Sequence, residues 1–236
     1  MKKKIAILGS TGSIGISTLQ IIKKDKSKFS IELLTAKKNY KKLIQQAIEF
    51  NAKNILIYEE KFFDQVKKKL KRYNTKVFCG NISITKILSK NIDYTMCATV
   101  GIAGLQPTLD AIKISKEIAI ANKESIICGW YLIEKLLKKY KTKIYPVDSE
   151  HFAIMQLVEN LNQKSIEEII LTASGGPFLK SPIKSLKYKK PSLAVKHPKW
   201  KMGKKISIDS ANLMNKVFEV FEAHLLFNFE YNKFKI

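Results

Sequence analysis

The chain has 236 residues, 45% of them hydrophobic, and its 43 Lys and Arg against 20 Asp and Glu give a formal net charge of +23. The apolar content supports a buried core and excludes a disordered chain, and no apolar run approaches the roughly 20 residues that cross a bilayer. A positive charge of this size is typical of nucleic-acid binders, but it also arises when an AT-rich genome favours lysine codons. Arg72 is the only arginine. Because base-reading proteins rely on arginine, we favour the codon-bias explanation.

Short β-rich runs alternate with helical patterns over the first 147 residues. The predicted strands are 4–8, 30–36, 54–58, 76–79, 92–98, 116–121 and 143–147, and the predicted helices include 16–24, 40–50, 62–72 and 124–139. Strands that alternate with helices predict an α/β fold with a Rossmann-like, doubly wound parallel sheet. We therefore predict one nucleotide-binding domain over 1–147.

A glycine-rich turn links the first predicted strand to the first helix. Gly9, Gly12 and Gly15 form a G-x-x-G-x-x-G variant of the dinucleotide-binding fingerprint. Glycines permit a tight turn and a close approach of backbone to a pyrophosphate at the helix N-terminus. An ordinary tight turn is the alternative, but the strand–turn–helix context favours a dinucleotide site.

The end of the second strand distinguishes the two nicotinamide cofactors. An NAD site usually has an acidic residue there, which binds the ribose hydroxyls. This chain instead has Lys37, Lys38 and Asn39. Two cations and an amide suit a ribose 2′-phosphate, so NADP is preferred over NAD.

The pattern changes after residue 147, where we predict an incomplete α+β domain over 148–236. A strand over 165–178 runs into a glycine turn, and the Lys-, Pro- and Ser-rich segment 179–205 lacks periodicity and predicts a flexible lid. A helix is expected over 210–227, with Ser210 as its N-cap.

Two acids, Asp148 and Glu150, follow the strand that ends at 147. If the backbone stays extended, their side chains point the same way and suit a hard divalent cation such as Mg²⁺ or Mn²⁺. Alternatively, they are the N-cap and first-turn acids of the next helix. The pair alone leaves both interpretations open.

The predicted helix 210–227 carries a polar stripe, because Asn215, Glu219 and Glu222 lie at i, i+4 and i+7, with Lys216 beside them. The stripe is either a solvated face or the wall of a site that supplies a third carboxylate.

Two further segments contain candidate binding residues. Ser174 precedes two glycines and fits phosphate or hydroxyl recognition. His197, Trp200 and Met202 lie in the non-periodic segment, where the two large apolar residues suit a lid over a flat ring.

Six segments in order resemble the 1-deoxy-D-xylulose 5-phosphate reductoisomerase family. They are "GSTGSIG", "ANKES" (121–125), "PVDSEH" (146–151), "LTASGGPF", "HPKWKMGKKISIDSA" (197–211) and "MNKVFE" (214–219). The resemblance implies conversion of 1-deoxy-D-xylulose 5-phosphate to 2-C-methyl-D-erythritol 4-phosphate, with NADPH and one Mg²⁺ or Mn²⁺, in non-mevalonate isoprenoid biosynthesis.

The resemblance also implies a role for each matching residue. The metal ligands would be Asp148, Glu150 and Glu219, which with Lys123 form the catalytic set. The substrate contacts would be Lys123, Ser149, Glu150, Ser174, His197, Ser210, Asn215, Lys216 and Glu219. The cofactor contacts would be Thr11, Gly12, Ser13, Ile14, Lys37, Lys38, Asn39, Asn122, Glu124 and Gly203.

Two departures from the family pattern are visible. The family usually has glycine at the position of Lys37, and its members continue beyond residue 236 to complete the sheet that builds a homodimer. A truncated, catalytically impaired NADP-binding fragment is therefore the alternative function, and the homodimer is doubtful for this chain. Three widely spaced cysteines suit a reducing compartment and predict a cytoplasmic protein. The resemblance implies a phosphorylated sugar as the partner, and we expect neither a nucleic acid nor a membrane.

Overall fold

The structure, a computed structural model, describes residues 1–89, 91–196 and 203–236. The chain folds as two compact units, Met1–Val147 (unit 1) and Asp148–Ile236 (unit 2). Three residues expected in the lid, His197, Trp200 and Met202, lie outside the described residues. No helix in the described part of the chain is both long and apolar enough to span a bilayer.

Unit 1 is built on a seven-stranded sheet in the order β4-β3-β2-β1-β5-β6-β7, and every neighbouring pair is parallel. The sheet confirms the predicted α/β class. Its strand order reverses direction at β1, the place where open parallel sheets bind their ligands. The strands are β1 (Lys3–Leu8), β2 (Phe29–Ala36), β3 (Asn54–Ile57), β4 (Lys76–Cys79), β5 (Ile92–Cys97), β6 (Ser115–Ile120) and β7 (Lys143–Pro146).

The helices of unit 1 bury apolar faces against this sheet, as Leu43 and Ala47 of the second helix do, with both fully buried. The fifth helix was not predicted; it has Pro107 in its first turn, where proline costs no hydrogen bond. The helices are α1 (Ser13–Lys24), α2 (Tyr40–Glu49), α3 (Phe63–Leu70), α4 (Ile84–Ile87), α5 (Leu105–Ile114) and α6 (Lys123–Tyr140).

Unit 2 has a smaller core in which Ile154, Leu171, Ala223 and Phe229 are buried. Two strands in the described part of this unit pair in parallel, each only two residues long. Its regular elements are α7 (Ser149–Val158), β8 (Ile169–Ile170), α8 (Pro191–Ala194), α9 (Lys204–Ala211), α10 (Met214–Phe227) and β9 (Phe234–Lys235).

Two predictions for unit 2 were wrong in detail. Ser210 does not cap a helix over 210–227; it lies near the end of α9, and Leu213, at φ 63°, separates α9 from α10. The predicted strand over 165–178 is regular only at β8, because its partner β9 offers only two residues for pairing. The flexible lid over 179–205 stays a prediction.

Candidate functional site

The glycine turn of unit 1 has the geometry of a phosphate-binding loop. Gly9 adopts φ +83°, and Gly12 is the N-cap of α1. A Cβ atom on Gly15 would lie 2.5 Å from the carbonyl oxygen of Gly9, so a side chain there would push the turn away from the helix. The turn therefore leaves Gly12 and Ser13 exposed at the N-terminus of a 12-residue helix, where backbone amides favour an anion.

The residues predicted to distinguish NADP from NAD lie at the end of the neighbouring strand. Lys37, Lys38 and Asn39 are exposed just after β2, the neighbour of β1 in the sheet. The side chain of Asn39 accepts a hydrogen bond from the backbone amide of Lys42 at 3.3 Å and so caps α2. Because both strands are parallel, the glycine turn and this loop share the carboxyl edge of the sheet.

The start of α6 carries the remaining cofactor candidates of unit 1. Asn122 is buried and caps the helix, accepting from the amide of Ser125 at 2.6 Å. Its Nδ2 donates to the carbonyls of Thr99 and, at 2.7 Å, Gly101. This side chain therefore ties the loop after β5 to α6. Of the other candidates, Thr11, Ile14, Lys123 and Glu124 are half-buried.

The acidic site lies in unit 2, where Asp148, Glu150 and Glu219 each offer one carboxylate oxygen within 4.8 Å of the others. The extended-backbone premise was wrong, because Asp148 is the N-cap position of α7 and Glu150 lies in its first turn. Asp148 nevertheless makes no side-chain capping hydrogen bond. Both acids therefore occupy helix-start positions while their carboxylates meet Glu219 of α10.

Lys216 reaches into this group from α10. Its ammonium lies 3.0 Å from Oε1 of Glu150 and also contacts Oε2 of Glu219 and the carbonyl of Thr172. Burial alone would lower the pKa of Lys216, but the carboxylates of Glu219 and Glu150 outweigh it and hold the pKa above its usual value. The ammonium therefore offsets the negative charge of two carboxylates.

The buried pair of His151 and Glu222 next to Asp148 was not identified from the sequence. The His151 ring, fully buried, has Nε2 2.9 Å from the backbone oxygen of Glu219 and Nδ1 3.3 Å from Oδ1 of Asp148 and 3.7 Å from Oε2 of the buried Glu222. A carbonyl can only accept, so Nε2 donates. Burial alone would lower the pKa of His151, but Asp148 and Glu222 raise it overall.

The acids line a cavity of about 630 Å³, within the usual size range of small-molecule sites. Gly176, at φ +63°, packs so tightly against the end of α9 that a Cβ atom would lie 2.5 Å from the carbonyl oxygen of Ser210. The sequence-predicted residues brought together at the cavity are Asp148, Ser149, Glu150, Ser174, Ser210, Asn215, Lys216 and Glu219. His197 lies outside the described residues, and Gly203 is exposed as the N-cap of α9.

The donor set fits a hard divalent cation, because three converging carboxylate oxygens are the ligands that Mg²⁺ and Mn²⁺ prefer. Asn215 Nδ2 donates to Oε1 of Glu219 and so orients that carboxylate within the group.

The fold and the cavity define a Rossmann-like α/β protein with a carboxylate site suited to a divalent cation. Comparison with known families gives the particular assignment. The model of 1-deoxy-D-xylulose 5-phosphate reductoisomerase matches residues 5–129, and that of the reductoisomerase C-terminal domain matches residues 144–227. The chain belongs to the 1-deoxy-D-xylulose 5-phosphate reductoisomerase family.

Individual relatives agree with this assignment. The reductoisomerase of Pelagibacter ubique is 56% identical over 236 residues, which cover 99% of this chain and 61% of the relative. The Zymomonas mobilis reductoisomerase in complex with NADPH matches at a TM-score of 0.91 and 36% identity, over 100% of this chain and 61% of that one. A reductoisomerase in complex with NADPH, fosmidomycin and magnesium matches at 0.89 and 37% identity, over 98% and 60%. The chain thus spans about 60% of the length of these proteins.

Proposed function

We propose that this chain carries the NADPH- and divalent-metal-dependent reductoisomerase chemistry that converts 1-deoxy-D-xylulose 5-phosphate to 2-C-methyl-D-erythritol 4-phosphate. The observation that carries the proposal is the convergence of Asp148, Glu150 and Glu219 within 4.8 Å in a chain of this family. Solved relatives that bind NADPH and magnesium support it.

The cofactor is NADPH in this proposal. The glycine turn and the N-terminus of α1 would hold the pyrophosphate, and Lys37 and Lys38 would hold the ribose 2′-phosphate by charge. Asn39 fixes the loop that carries these lysines to the start of α2 through its capping hydrogen bond. The two anionic parts of the cofactor would thus meet two segments on one edge of the sheet.

The metal would be held by Asp148, Glu150 and Glu219. When bound, it would polarise neighbouring oxygens of the sugar phosphate and offset the charge that develops during rearrangement. The protein would contribute orientation, because Asn215 donates to the Glu219 carboxylate. Ser174 and Ser210 line the same cavity, and their hydroxyls would donate to a phosphate. Lys123, Ser149, His197 and Lys216 are further proposed substrate contacts on the family resemblance.

The test is a spectrophotometric assay of NADPH oxidation by the 236-residue chain with 1-deoxy-D-xylulose 5-phosphate and Mn²⁺. We expect oxidation that needs both the substrate and the metal and that is lost in Glu219→Gln. Asp209→Asn is a matched control, since Asp209 pairs with Lys205 at 2.7 Å and lies outside the carboxylate group. Oxidation that continues without metal would contradict the proposal.

A second candidate function is favoured by the limited share of the relatives' length that this chain covers. Because the chain spans about 60% of their length, a fragment that binds NADPH and a divalent cation without turnover is the alternative. Saturable NADPH and Mn²⁺ binding in calorimetry, together with no oxidation of NADPH, would favour it. The three free thiols support a reducing, cytoplasmic location for either candidate, and a homodimer is proposed only on the family resemblance.

A further inference from the structure

One buried polar side chain in unit 1 has no role in the proposed chemistry. Gln46 lies on α2 and is only 3% exposed, between the fully buried Leu43 and Ala47. Its Oε1 accepts from the hydroxyl of Ser10 at 2.8 Å, and its Nε2 donates to the backbone carbonyl of Ser10 at 2.8 Å. A buried amide is tolerated only when it is hydrogen-bonded, and here both ends are bonded to one residue.

That residue belongs to the glycine turn. Ser10 is fully buried, directly follows Gly9, and donates its backbone amide to the carbonyl of Thr35 at 2.9 Å. The amide of Gly9 donates to Oγ1 of Thr35, also at 2.9 Å. The turn is therefore held on two sides, by the end of β2 and by Gln46 of α2.

The same helix starts at the loop proposed to bind the 2′-phosphate. Asn39 caps α2 at its first turn, and Gln46 lies seven positions further along, about 10 Å at 1.5 Å per residue. Helix α2 is thus bonded to the 2′-phosphate loop at one point and to the pyrophosphate turn at another. A rigid helix between two such points sets the distance between them.

We propose that Gln46 is a positioning residue for the dinucleotide: its bonds to Ser10 hold the glycine turn at the distance from the Lys37–Asn39 loop that lets one cofactor molecule occupy both. The inference rests on the proposed cofactor. A positioning role and a purely structural role of Gln46 predict different effects on the binding of two ligands. A ligand that bridges both segments depends on Gln46, whereas a ligand that reaches only the loop does not.

The experiment measures calorimetric dissociation constants of NADPH and of adenosine 2′-phosphate, which lacks the pyrophosphate, for the 236-residue chain. In Gln46→Met, which keeps the length but removes the polar atoms, we expect the NADPH dissociation constant to rise about tenfold, as for the loss of two buried hydrogen bonds. The constant for adenosine 2′-phosphate should change less than about twofold. Gln45→Met is the matched control, because Gln45 is exposed on the same helix, and should change neither.

Equal weakening of both ligands would overturn the inference, because it would mean that Gln46 acts through general stability; no change in either would also overturn it. If Gln46→Met does not fold, Ser10→Ala decides, since it removes the hydroxyl bonds to Gln46 and, at 3.3 Å, to the carbonyl of Thr35, while the backbone carbonyl of residue 10 can still accept from Gln46. It should weaken NADPH about threefold and leave adenosine 2′-phosphate unchanged, and any other pattern counts against the inference. Absence of NADPH binding by the unchanged chain would instead refute the proposed function.

Discussion

Removing the Lys216 ammonium should make the stability of the protein depend on a divalent cation. The side chains of Lys216 and Glu219 are only 7% and 3% exposed, and the ammonium also lies 3.0 Å from Oε1 of Glu150. In Lys216→Met, two poorly solvated carboxylates would lose their counter-charge. Loss of one partner of a buried pair costs about 3–5 kcal/mol.

A bound cation should restore most of that loss, because it would occupy the same carboxylates. At a concentration 100 times its dissociation constant, a ligand that binds only the folded state adds about 2.7 kcal/mol. The unchanged protein should gain less, since its own ammonium repels the incoming cation. We therefore expect Lys216→Met to lose about 3–5 kcal/mol in chelator and to regain about 2.7 kcal/mol of it in Mn²⁺ at 100 times its dissociation constant.

The assay is urea unfolding with a chelator and with Mn²⁺, applied to the unchanged chain, Lys216→Met and Lys138→Met. Lys138 pairs with Glu134 at 2.6 Å, but its side chain is 74% exposed. Such an exposed helical pair contributes about 0.3–0.5 kcal/mol, so this control should change little in either condition. An equal loss of stability with and without Mn²⁺ would refute the idea that ammonium and metal share one site.

Three further predictions concern the two binding sites. Asp148→Asn should raise the Mn²⁺ dissociation constant about 10- to 100-fold in a calorimetric titration, because one anionic ligand is lost, whereas an unchanged constant would exclude Asp148 as a ligand. Changing both Lys37 and Lys38 to methionine should weaken NADPH about tenfold but leave NADH within about twofold, since only NADPH carries the 2′-phosphate; equal weakening would place the lysines elsewhere on the cofactor. Gly15→Ala should abolish detectable NADPH binding in fluorescence titration, because its Cβ would meet the Gly9 carbonyl at 2.5 Å; tight binding would show that the turn relaxes.

The sheet of unit 1 could be predicted because its strands and helices carry local, periodic patterns. The glycine turn was equally local, with Gly9, Gly12 and Gly15 in one short segment between a strand and a helix. Unit 2 was harder. The only strand pair among its described residues joins positions far apart in sequence, Ile169 with Phe234, so no local pattern predicts where pairing stops.

In the acidic site too, features set by neighbouring residues could be predicted, whereas features set by residues distant in sequence could not. Asp148 and Glu150 were found by proximity in sequence, but their helix-start positions depend on where α7 begins. The contact of His151 with the backbone oxygen of Glu219 could not be predicted, because the two residues lie 68 positions apart. Ser210 was misassigned as an N-cap because the backbone of Leu213, which is left-handed at φ 63°, ends one helix and starts another.

The most direct measurement is NADPH oxidation by the 236-residue chain with 1-deoxy-D-xylulose 5-phosphate, before and after removal of divalent metal, in parallel with Glu219→Gln. Reductoisomerase chemistry at the three carboxylates predicts substrate-dependent oxidation that chelation abolishes, that Mn²⁺ restores and that Glu219→Gln lacks. Equal rates in the unchanged chain and in Glu219→Gln, or no oxidation by the unchanged chain with saturating metal, would contradict it.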